Sequence, residues 1–345
     1  MITYVVIIVG IAFVFDFING FHDSANSIAT IVGTRVLSPV AAVAWAALFN
    51  FFGAFVGTTA VAKAVSSGFV AQSVVDANVI LGGLLGAIIW DLITWWFGIP
   101  TSSSHAIIGG FAGAGVSKGG ISALLWGAKW KQTLSAIVVS PLLGAFVAFF
   151  LMVFVLNVFQ KATPSRMDRV FRPGQLLSSG FLSYAHGQND AQKTMGVIVG
   201  LLVATQTHFA QQTGLLSYLY LQNADYVPRW VEFGAYTAIS LGTLFGGWRI
   251  VHTMGSRVTR LRPVSGFCAE TGAATVMITA AQLGIPISTT HTITGAIVGV
   301  GATTRLSAVR WGLARRIVWA WVLTIPAAAV IAAITYRVLA LVIHV

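Results

Sequence analysis

Two short segments of this chain place carboxylate and amide side chains inside otherwise apolar sequence. One segment, GFHDSANSIA, contains Asp23 and Asn26, and the other, GQNDAQKTMG, contains Asn189 and Asp190. A charged group at the centre of a bilayer costs about 3 kcal/mol on insertion scales, so such a group usually faces a cavity and has a function. Because carboxylate and amide oxygens are hard ligands, these four side chains are candidate ligands of a cation, either Na⁺ or, at the carboxylates, H⁺.

The glycines that precede the two aspartates predict a local interruption of the helices. Gly20 comes three residues before Asp23, and Gly187 comes three residues before Asp190. Glycine weakens a helix, and Asn and Ser side chains compete for its backbone hydrogen bonds. We therefore expect a break in each helix, whose freed carbonyl groups would join Asp23, Asn26 and Asp190 around Na⁺. Broken helices at the midplane are the usual coupling-ion sites of secondary transporters.

Two further segments, GIPTSSSH and GIPISTTH, combine a proline with a run of hydroxyl groups. Pro100 and Pro286 predict helix N-termini, since proline is favoured near the first turn and Ser or Thr caps the free N–H groups. A helix N-terminus carries partial positive charge and unpaired donors, which bind phosphate-like anions. Packing of small residues between helices is the alternative explanation, but it does not account for a duplicated proline followed by hydroxyls and histidine. The candidate anion ligands are Thr101, Ser102, Ser103, Ser104, Ser288, Thr289 and Thr290.

Two histidines and a lysine accompany these segments as accessory candidates. His105 and His291 each follow a hydroxyl run, and each is either a hydrogen-bonded packing residue or a protonated partner of the anion. Lys193 stands where the first acidic segment has Asn26. We expect it to neutralise Asp190 or to contact the anion, and either contact would make the two cation sites unequal.

The composition indicates the environment of these segments. The 345 residues are 57% hydrophobic and only 8% charged, whereas a soluble domain is about one-quarter charged. Residues 132–160 carry no charge, and about 20 such residues span a bilayer as a helix. We therefore expect an all-α polytopic protein of the cell membrane, with the lipid bilayer as a partner. Of the other acidic residues in apolar runs, Asp16, Asp91 and Glu232 are either functional groups that face a cavity or carboxylates near helix ends, hydrated at the membrane interface. The second interpretation is favoured for these three.

The charge balance and the cysteine content limit the partners. The formal net charge of +11 is typical of cytoplasmic loops rich in Lys and Arg, and it would also favour an anionic substrate. We do not expect nucleic acid as a partner. The single cysteine, Cys268, excludes an internal disulfide and a cysteine-based metal cluster. No cofactor is expected beyond the bound cation, and the sequence leaves the oligomeric state open, a homo-oligomer included.

An internal repeat defines the domain organisation. Residues 98–115 align without gaps on residues 284–301 and are identical at 9 of 18 positions. The two acidic segments also align, with Asp23 on Asp190. The sequence therefore predicts a first transmembrane repeat (1–159), a basic cytoplasmic linker (160–173) and a second transmembrane repeat (174–345).

The distribution of basic residues predicts that the two repeats have inverted topology. The second repeat has four arginines within residues 249–262, whereas the corresponding stretch of the first repeat has only Lys63. Cytoplasmic loops collect Lys and Arg, so the two stretches are expected on opposite sides of the membrane. Each repeat would then cross the membrane about five times, with broken or re-entrant helices at the midplane. This topology places Lys118, Lys129 and Lys131 outside, against the same rule.

The motifs together resemble the signatures of the inorganic phosphate transporter (PiT) family, and the resemblance covers nearly the whole chain. NGFHDSANSIAT and HGQNDAQKTMGVI are similar to the two family signatures, and the GIP segments are similar to its duplicated serine/threonine loops. The resemblance implies inverted repeats, alternating access and import of inorganic phosphate by symport with Na⁺ or H⁺. It also implies that Asp23 and Asp190 are the signature carboxylates and that Glu270 is the family's acidic residue of the second half. The chain departs from the family pattern at His22, where Asn is usual, and at Asn50, where many relatives carry Glu.

Three other functions are compatible with these residues. Some relatives carry sulfate, but fully deprotonated sulfate cannot donate a hydrogen bond, so a carboxylate facing the anion favours phosphate. An intramembrane metal-dependent hydrolase would use His22, Asp23, His186 and Asp190, although the chain has no HExxH or comparable ligand spacing. A channel is the third alternative, and the expected helix breaks in both repeats favour alternating access over it.

Overall fold

The computed structural model describes residues 1–56, 59–67 and 69–343, and these residues form twelve α-helices and no β-strand. The predicted all-α class is confirmed. The helices are α1 (Ile2–Gly33), α2 (Pro39–Val56), α3 (Ala60–Ser67), α4 (Ala77–Trp96), α5 (Ser103–Gly119), α6 (Ala128–Val158), α7 (Pro164–Ala204), α8 (Arg229–Phe245), α9 (Trp248–His252), α10 (Pro263–Gln282), α11 (Thr289–Thr304) and α12 (Trp311–Val342).

Six of the described helices are long and apolar enough to cross a membrane, namely α1, α2, α4, α6, α10 and α12. Helix α6 contains most of the uncharged run at 132–160, as the composition predicts. The chain is therefore a multi-pass membrane protein. The number of spans, and the side of the membrane on which each loop lies, stay predictions.

The packing of the helices repeats from one half of the chain to the other. Helix α1 packs on α8 as α7 packs on α2, and α5 packs on α12 as α11 packs on α6. Helix α4 contacts α1 and α12, and its counterpart α10 contacts α7 and α6. Adding six to the numbers of α1–α6 and subtracting six from the numbers of α7–α12 therefore converts one set of packed pairs into the other. This exchange is the three-dimensional counterpart of the sequence repeat.

Helices α1 and α7, which carry the two acidic segments, lie side by side in opposite directions. At the C-terminal end of α1, the Thr34 hydroxyl donates to Gln175 Oε1 in the first part of α7 at 2.9 Å. Earlier in α1, Asp23 lies beside Asp190, which comes later in α7. Residue numbers thus rise along one helix as they fall along the other, as inverted repeats require.

The predicted breaks at the acidic segments are wrong, because α1 and α7 continue through them without interruption. The glycines serve close packing instead. A Cβ atom at Gly20 would lie 2.2 Å from the Ile239 carbonyl oxygen in α8, and one at Gly187 would lie 2.7 Å from the Asn50 carbonyl oxygen in α2. Glycine costs a helix about 1 kcal/mol relative to alanine, which the close contact with a neighbouring helix offsets. Helix ends lie against both segments instead: the Gly247 N–H group between α8 and α9 donates to Ser24 Oγ at 2.5 Å, and the Val61 N–H group at the start of α3 donates to Gln192 Oε1 at 2.9 Å.

The two GIP segments form the tips of these helical hairpins. Gly98 and Gly284 have φ angles of +64° and +65°, in the left-handed region that favours glycine. Ser102 and Ser288 then cap α5 and α11, each accepting the backbone N–H group three residues later at 3.2 Å. The predicted helix N-termini are confirmed, although each helix begins after its proline and does not include it.

The predicted linker is largely part of a helix. Thr163 caps α7 and Pro164 lies in its first turn, so residues 164–173 extend α7 at its N-terminal end. The division into two repeats stays a prediction, and residues 344–345 at the end of the second repeat lie outside the described part of the chain.

We expect Gly20→Ala to destabilise the protein by pushing α1 away from α8. The added methyl group would sit 2.2 Å from the Ile239 carbonyl oxygen, and overpacking of this kind costs about 1–3 kcal/mol. Gly10→Ala is the matched control, since it lies in the same helix and its Cβ position has no atom within 4 Å. Thermal unfolding in detergent measures the effect. Equal melting temperatures for the two variants would contradict the close contact.

Candidate anion and cation site

The second hairpin tip lies directly against the two acidic segments. The Asn26 side-chain amide donates to Thr290 Oγ1 at 2.9 Å and to Thr289 Oγ1 at 3.3 Å. The Thr289 hydroxyl donates to Asp190 Oδ2 at 3.0 Å, and the Thr290 hydroxyl donates to Asp23 Oδ2 at 3.4 Å. The candidate anion ligands of this tip and the candidate cation ligands of α1 and α7 therefore form one connected group.

Lys193 joins the second acidic segment to both hairpins. Its ammonium group pairs with the Asp190 carboxylate and donates to the Ser104 hydroxyl, and it also donates to the Ile287 carbonyl at 3.3 Å. The residue is 1% exposed, and among the described residues it is the only buried lysine or arginine. Lys193 therefore pairs with Asp190, and the two acidic segments are unequal, as the sequence predicts.

His22 connects Asp23 to the first hairpin. Its Nδ1 atom lies 2.7 Å from Asp23 Oδ1, and its Nε2 atom lies 3.0 Å from Thr94 Oγ1. The Thr101 hydroxyl donates to the same Thr94 oxygen at 2.9 Å. Thr94 is a site residue that sequence reasoning missed, and its only signal is its position one helical turn before Gly98.

His186 is the second histidine of the site. One ligand atom each from Asp23, His186 and Asp190 lie within 4.8 Å of one another. His186 Nε2 is 3.1 Å from Asp190 Oδ2, and Nδ1 is 3.2 Å from Asn50 Oδ1. Asn50 in turn donates to the Thr243 hydroxyl at 2.8 Å. Two carboxylates and an imidazole at this separation have the donor set and spacing to hold one cation between α1 and α7.

Asp16 and Asp91 are fully buried, so their interpretation as hydrated helix-end carboxylates is wrong. Both lie inside their helices, where α1 is packed between α4, α7 and α8. The surrounding helices therefore exclude the interfacial water that the interpretation requires. Glu232 does fit it, because it lies in the first turn of α8 and pairs with the exposed Arg229 at 2.8 Å.

The interior around the site holds more acidic than basic side chains. Asp16, Asp23, Asp91 and Asp190 are each at most 2% exposed, whereas Lys193 is the only buried ammonium or guanidinium group in the described part of the chain. Buried charges are costly unless they are paired or coordinate a cation. An anion can therefore enter this interior only when added cations or protons compensate the carboxylates.

His105 and His291, the accessory candidates, pack against each other. Their ring centroids are 4.9 Å apart, and the His291 ring stacks on Trp321 at 3.9 Å. Trp321 also donates to the Pro100 carbonyl at 3.0 Å, which ties α12 to the first hairpin tip. Two protonated imidazoles at this distance would repel each other, so the geometry favours the packing interpretation.

Glu270 belongs to a separate buried cluster. Its Oε1 atom accepts from the Thr30 hydroxyl at 2.6 Å and from the Gln175 amide at 2.9 Å, and its Oε2 atom accepts from the Ser178 hydroxyl at 2.5 Å. These partners tie α10 to α1 and α7 toward the C-terminal end of α1. The structure therefore does not bring Glu270 to the hairpin tips.

The remaining candidate ligands differ in how their polar atoms are engaged. Ser102 and Ser288 accept N–H groups as helix caps, which leaves their hydroxyl hydrogens free to be donated. Ser103 is buried in the first turn of α5. The Asn189 amide nitrogen donates to two backbone carbonyls, while its Oδ1 atom is buried without a hydrogen-bond partner among the described residues. That oxygen is a free acceptor beside Asp190.

Comparison with known proteins shows the family. Residues 19–332 match the model of the phosphate transporter family. The chain belongs to this family. This phosphate transporter family member is 53% identical over 329 residues to a probable low-affinity inorganic phosphate transporter of Rhizobium meliloti (strain 1021). The aligned residues cover 95% of this chain and 94% of that protein. It is 40% identical over 341 residues to a protein of the same description from Bacillus subtilis (strain 168), covering 98% of both.

A solved structure agrees with this assignment. The phosphate transporter family member resembles the structure of a sodium-dependent phosphate transporter with a TM-score of 0.85 and 26% identity, over 99% of this chain and 100% of that one. The resemblance to the PiT family is confirmed. The relatives are transporters and not enzymes, so the prediction that the chain is not an enzyme is also confirmed, against the hydrolase alternative.

We expect Thr94→Val to weaken phosphate binding, because it removes the oxygen shared by His22 and Thr101. Leaving buried donors without a partner costs about 1–3 kcal/mol, which corresponds to roughly 5- to 150-fold in affinity. Thr133→Val is the matched control, since this buried hydroxyl in α6 has no hydrogen-bond partner among the described residues. Equilibrium binding of radiolabelled phosphate compares the variants, and equal affinity in both would show that Thr94 does not shape the site.

Proposed function

We propose that this protein imports inorganic phosphate by symport with a cation, Na⁺ or H⁺, through alternating access. Its relatives are described as probable low-affinity inorganic phosphate transporters, and its structural neighbour as a sodium-dependent phosphate transporter. The observation in this chain that carries the proposal is the contact between the hydroxyl-bearing N-terminus of α11 and the buried carboxylates of Asp23 and Asp190.

The hairpin tips bind the phosphate. The N-termini of α5 and α11 are neighbours, since Lys193 donates both to Ser104 of one tip and to the Ile287 carbonyl of the other. Two helix dipoles and the hydroxyls of residues 101–104 and 288–290 then converge on one anion. Phosphate that keeps a proton can donate a hydrogen bond to Asp23 or Asp190, which fully deprotonated sulfate cannot do.

The cation binds at the acidic segments. Asp23 has no lysine or arginine partner among the described residues, and its carboxylate contacts His22 and Thr290. A cation beside Asp23, with Asn26 and Asp190 as further ligands, compensates this carboxylate. It also lowers the electrostatic cost of placing an anion at the neighbouring hairpin tip. Binding of the two ions is therefore mutually favourable, which is the thermodynamic requirement of symport.

Alternating access follows from the burial of the site. The candidate ligands of both ions are at most 5% exposed, so neither ion can enter or leave without a rearrangement. The hydrogen bonds at the site join elements of different halves, as with Asn26 of α1 and Thr290 of α11. Movement of one half relative to the other would break these contacts and open the site. A channel would instead require a continuous path.

Uptake into proteoliposomes tests the proposal. A Na⁺ gradient and a pH gradient are imposed in separate experiments, and radiolabelled phosphate should accumulate with one of them. The gradient that drives accumulation identifies the cation. Excess unlabelled sulfate should leave the uptake nearly unchanged. Phosphate uptake that is indifferent to both gradients would contradict symport, and strong inhibition by sulfate would support a sulfate permease instead.

Asp23→Asn and Asp190→Asn are expected to impair cation-coupled uptake. Each removes a buried charge whose hydrogen bonds contribute about 1.5–3 kcal/mol apiece, which corresponds to a loss of roughly tenfold or more. Asp168→Asn is the matched control, because it makes the same chemical change at an exposed position in the first turns of α7. Near-normal uptake by both site variants would defeat the assigned role.

A further inference from the structure

The two acidic segments are related by the repeat, and among the positions at which they differ, one carries a charged side chain in the second segment only. Asn26 follows Asp23 by three residues, and Lys193 follows Asp190 by three residues. Both side chains reach toward the hairpin of the opposite half: Asn26 donates to Thr290, and Lys193 donates to Ser104. Because the GIP segments align with an offset of 186 residues (284 − 98), Ser104 and Thr290 are counterparts. The repeat therefore superimposes the surroundings of the Lys193 ammonium on those of the Asn26 amide.

The Lys193 ammonium has the surroundings of a bound metal cation. It contacts a carboxylate of Asp190, the hydroxyl of Ser104 and the backbone carbonyl of Ile287. A carboxylate, a hydroxyl and a carbonyl are the hard oxygen ligands that Na⁺ takes in proteins. These three groups come from α7, the first hairpin and the second hairpin, so the positive charge binds the two tips together.

We propose that Lys193 is a tethered cation, which permanently fills one of two repeat-related cation sites. The proposal rests on the proposed symport and names the cation sites that this symport can use. The equivalent oxygens in the first half belong to Asp23, Thr290 and, with Thr101 aligned on Ile287, the Thr101 carbonyl. Asn26 is shorter than lysine and carries no charge, so this first-half site is left for a mobile cation. Phosphate then travels with one cation fewer than two equal sites would carry.

A built-in ammonium has a clear energetic consequence. Asp190 is compensated in every state of the protein in which the pair stays together, and no ion has to be recruited from solution for it. Asp23 has no such partner, so its compensation depends on the concentration of the mobile cation. Two positive charges therefore lie beside the anion site: the covalently held ammonium group of Lys193 and the exchangeable cation at Asp23.

Lys193→Asn tests the assignment, because it places the first-repeat residue at the second-repeat position. In detergent-purified protein without phosphate, equilibrium binding of ²²Na⁺ should rise by one ion per chain relative to wild type. In proteoliposomes, phosphate uptake by the variant should fall roughly tenfold or more in choline and recover in Na⁺. Lys131→Asn, which removes an exposed lysine in α6, is the matched control and should bind no additional Na⁺. If folded Lys193→Asn binds no more Na⁺ than wild type, the proposal is overturned.

A second variant decides the question without replacing the lysine. If Lys193 fills its site, Asp23→Asn should abolish Na⁺ binding at the acidic segments. Na⁺ binding that persists in Asp23→Asn and disappears in Asp23→Asn/Asp190→Asn would overturn the proposal. Failure of the proposed symport has a different signature, since wild-type phosphate uptake in the same vesicles would then respond to neither a Na⁺ nor a pH gradient, whatever the Na⁺ counts.

Discussion

The whole site depends on how the fold keeps carboxylates out of water between two helix N-termini. Asp23 and Asp190 would be costly in an apolar interior if they lacked partners. The second hairpin tip supplies threonine hydroxyls to both, and Lys193 supplies a charge to one. Hydroxyl contacts alone do not balance a negative charge, so an anion at this site is costly unless a cation or a proton accompanies it.

The close approach of the helices makes this burial possible. Glycines in α1 and α7 let neighbouring backbones come within contact distance, as at Gly20 against Ile239 and at Gly187 against Asn50. The same pattern recurs at the hairpin helices, where Gly109 and Gly113 of α5 face the backbone of α12, and Gly295 faces that of α6. Small residues are the usual means of close helix packing in membranes. Here they also bring polar groups from α1, α4, α5, α7 and α11 within hydrogen-bonding distance.

Much of this arrangement could be predicted from the sequence because the motifs that form the site occur in both repeats. Duplication of the GIP segments and of the aspartates identified the hairpin tips and the acidic segments as parts of one plan, and proline with serine located the helix N-termini to within three residues. The meaning of Gly20 could not be predicted, because a glycine that breaks a helix and one that admits a neighbouring helix look alike in sequence. The burial of Asp16 and Asp91 depends on which helices surround α1 and α4, and local sequence does not encode that. Thr94 was missed for the same reason, since its partners lie on α1 and beyond the turn.

The two hairpin tips are alike in their hydroxyls but differ in what supports them from behind. The first tip is held by Trp321, which donates to the Pro100 carbonyl, and Trp90 donates to Thr324 of the same helix α12. The repeat aligns Trp90 with Val276, which lines a cavity of about 370 Å³ that extends to Ile287. Packing against large side chains resists displacement, whereas a cavity removes the contacts that would oppose it. The asymmetry at Asn26 and Lys193 is thus accompanied by a second one, because the lysine contacts the carbonyl of Ile287, in the tip that adjoins the cavity.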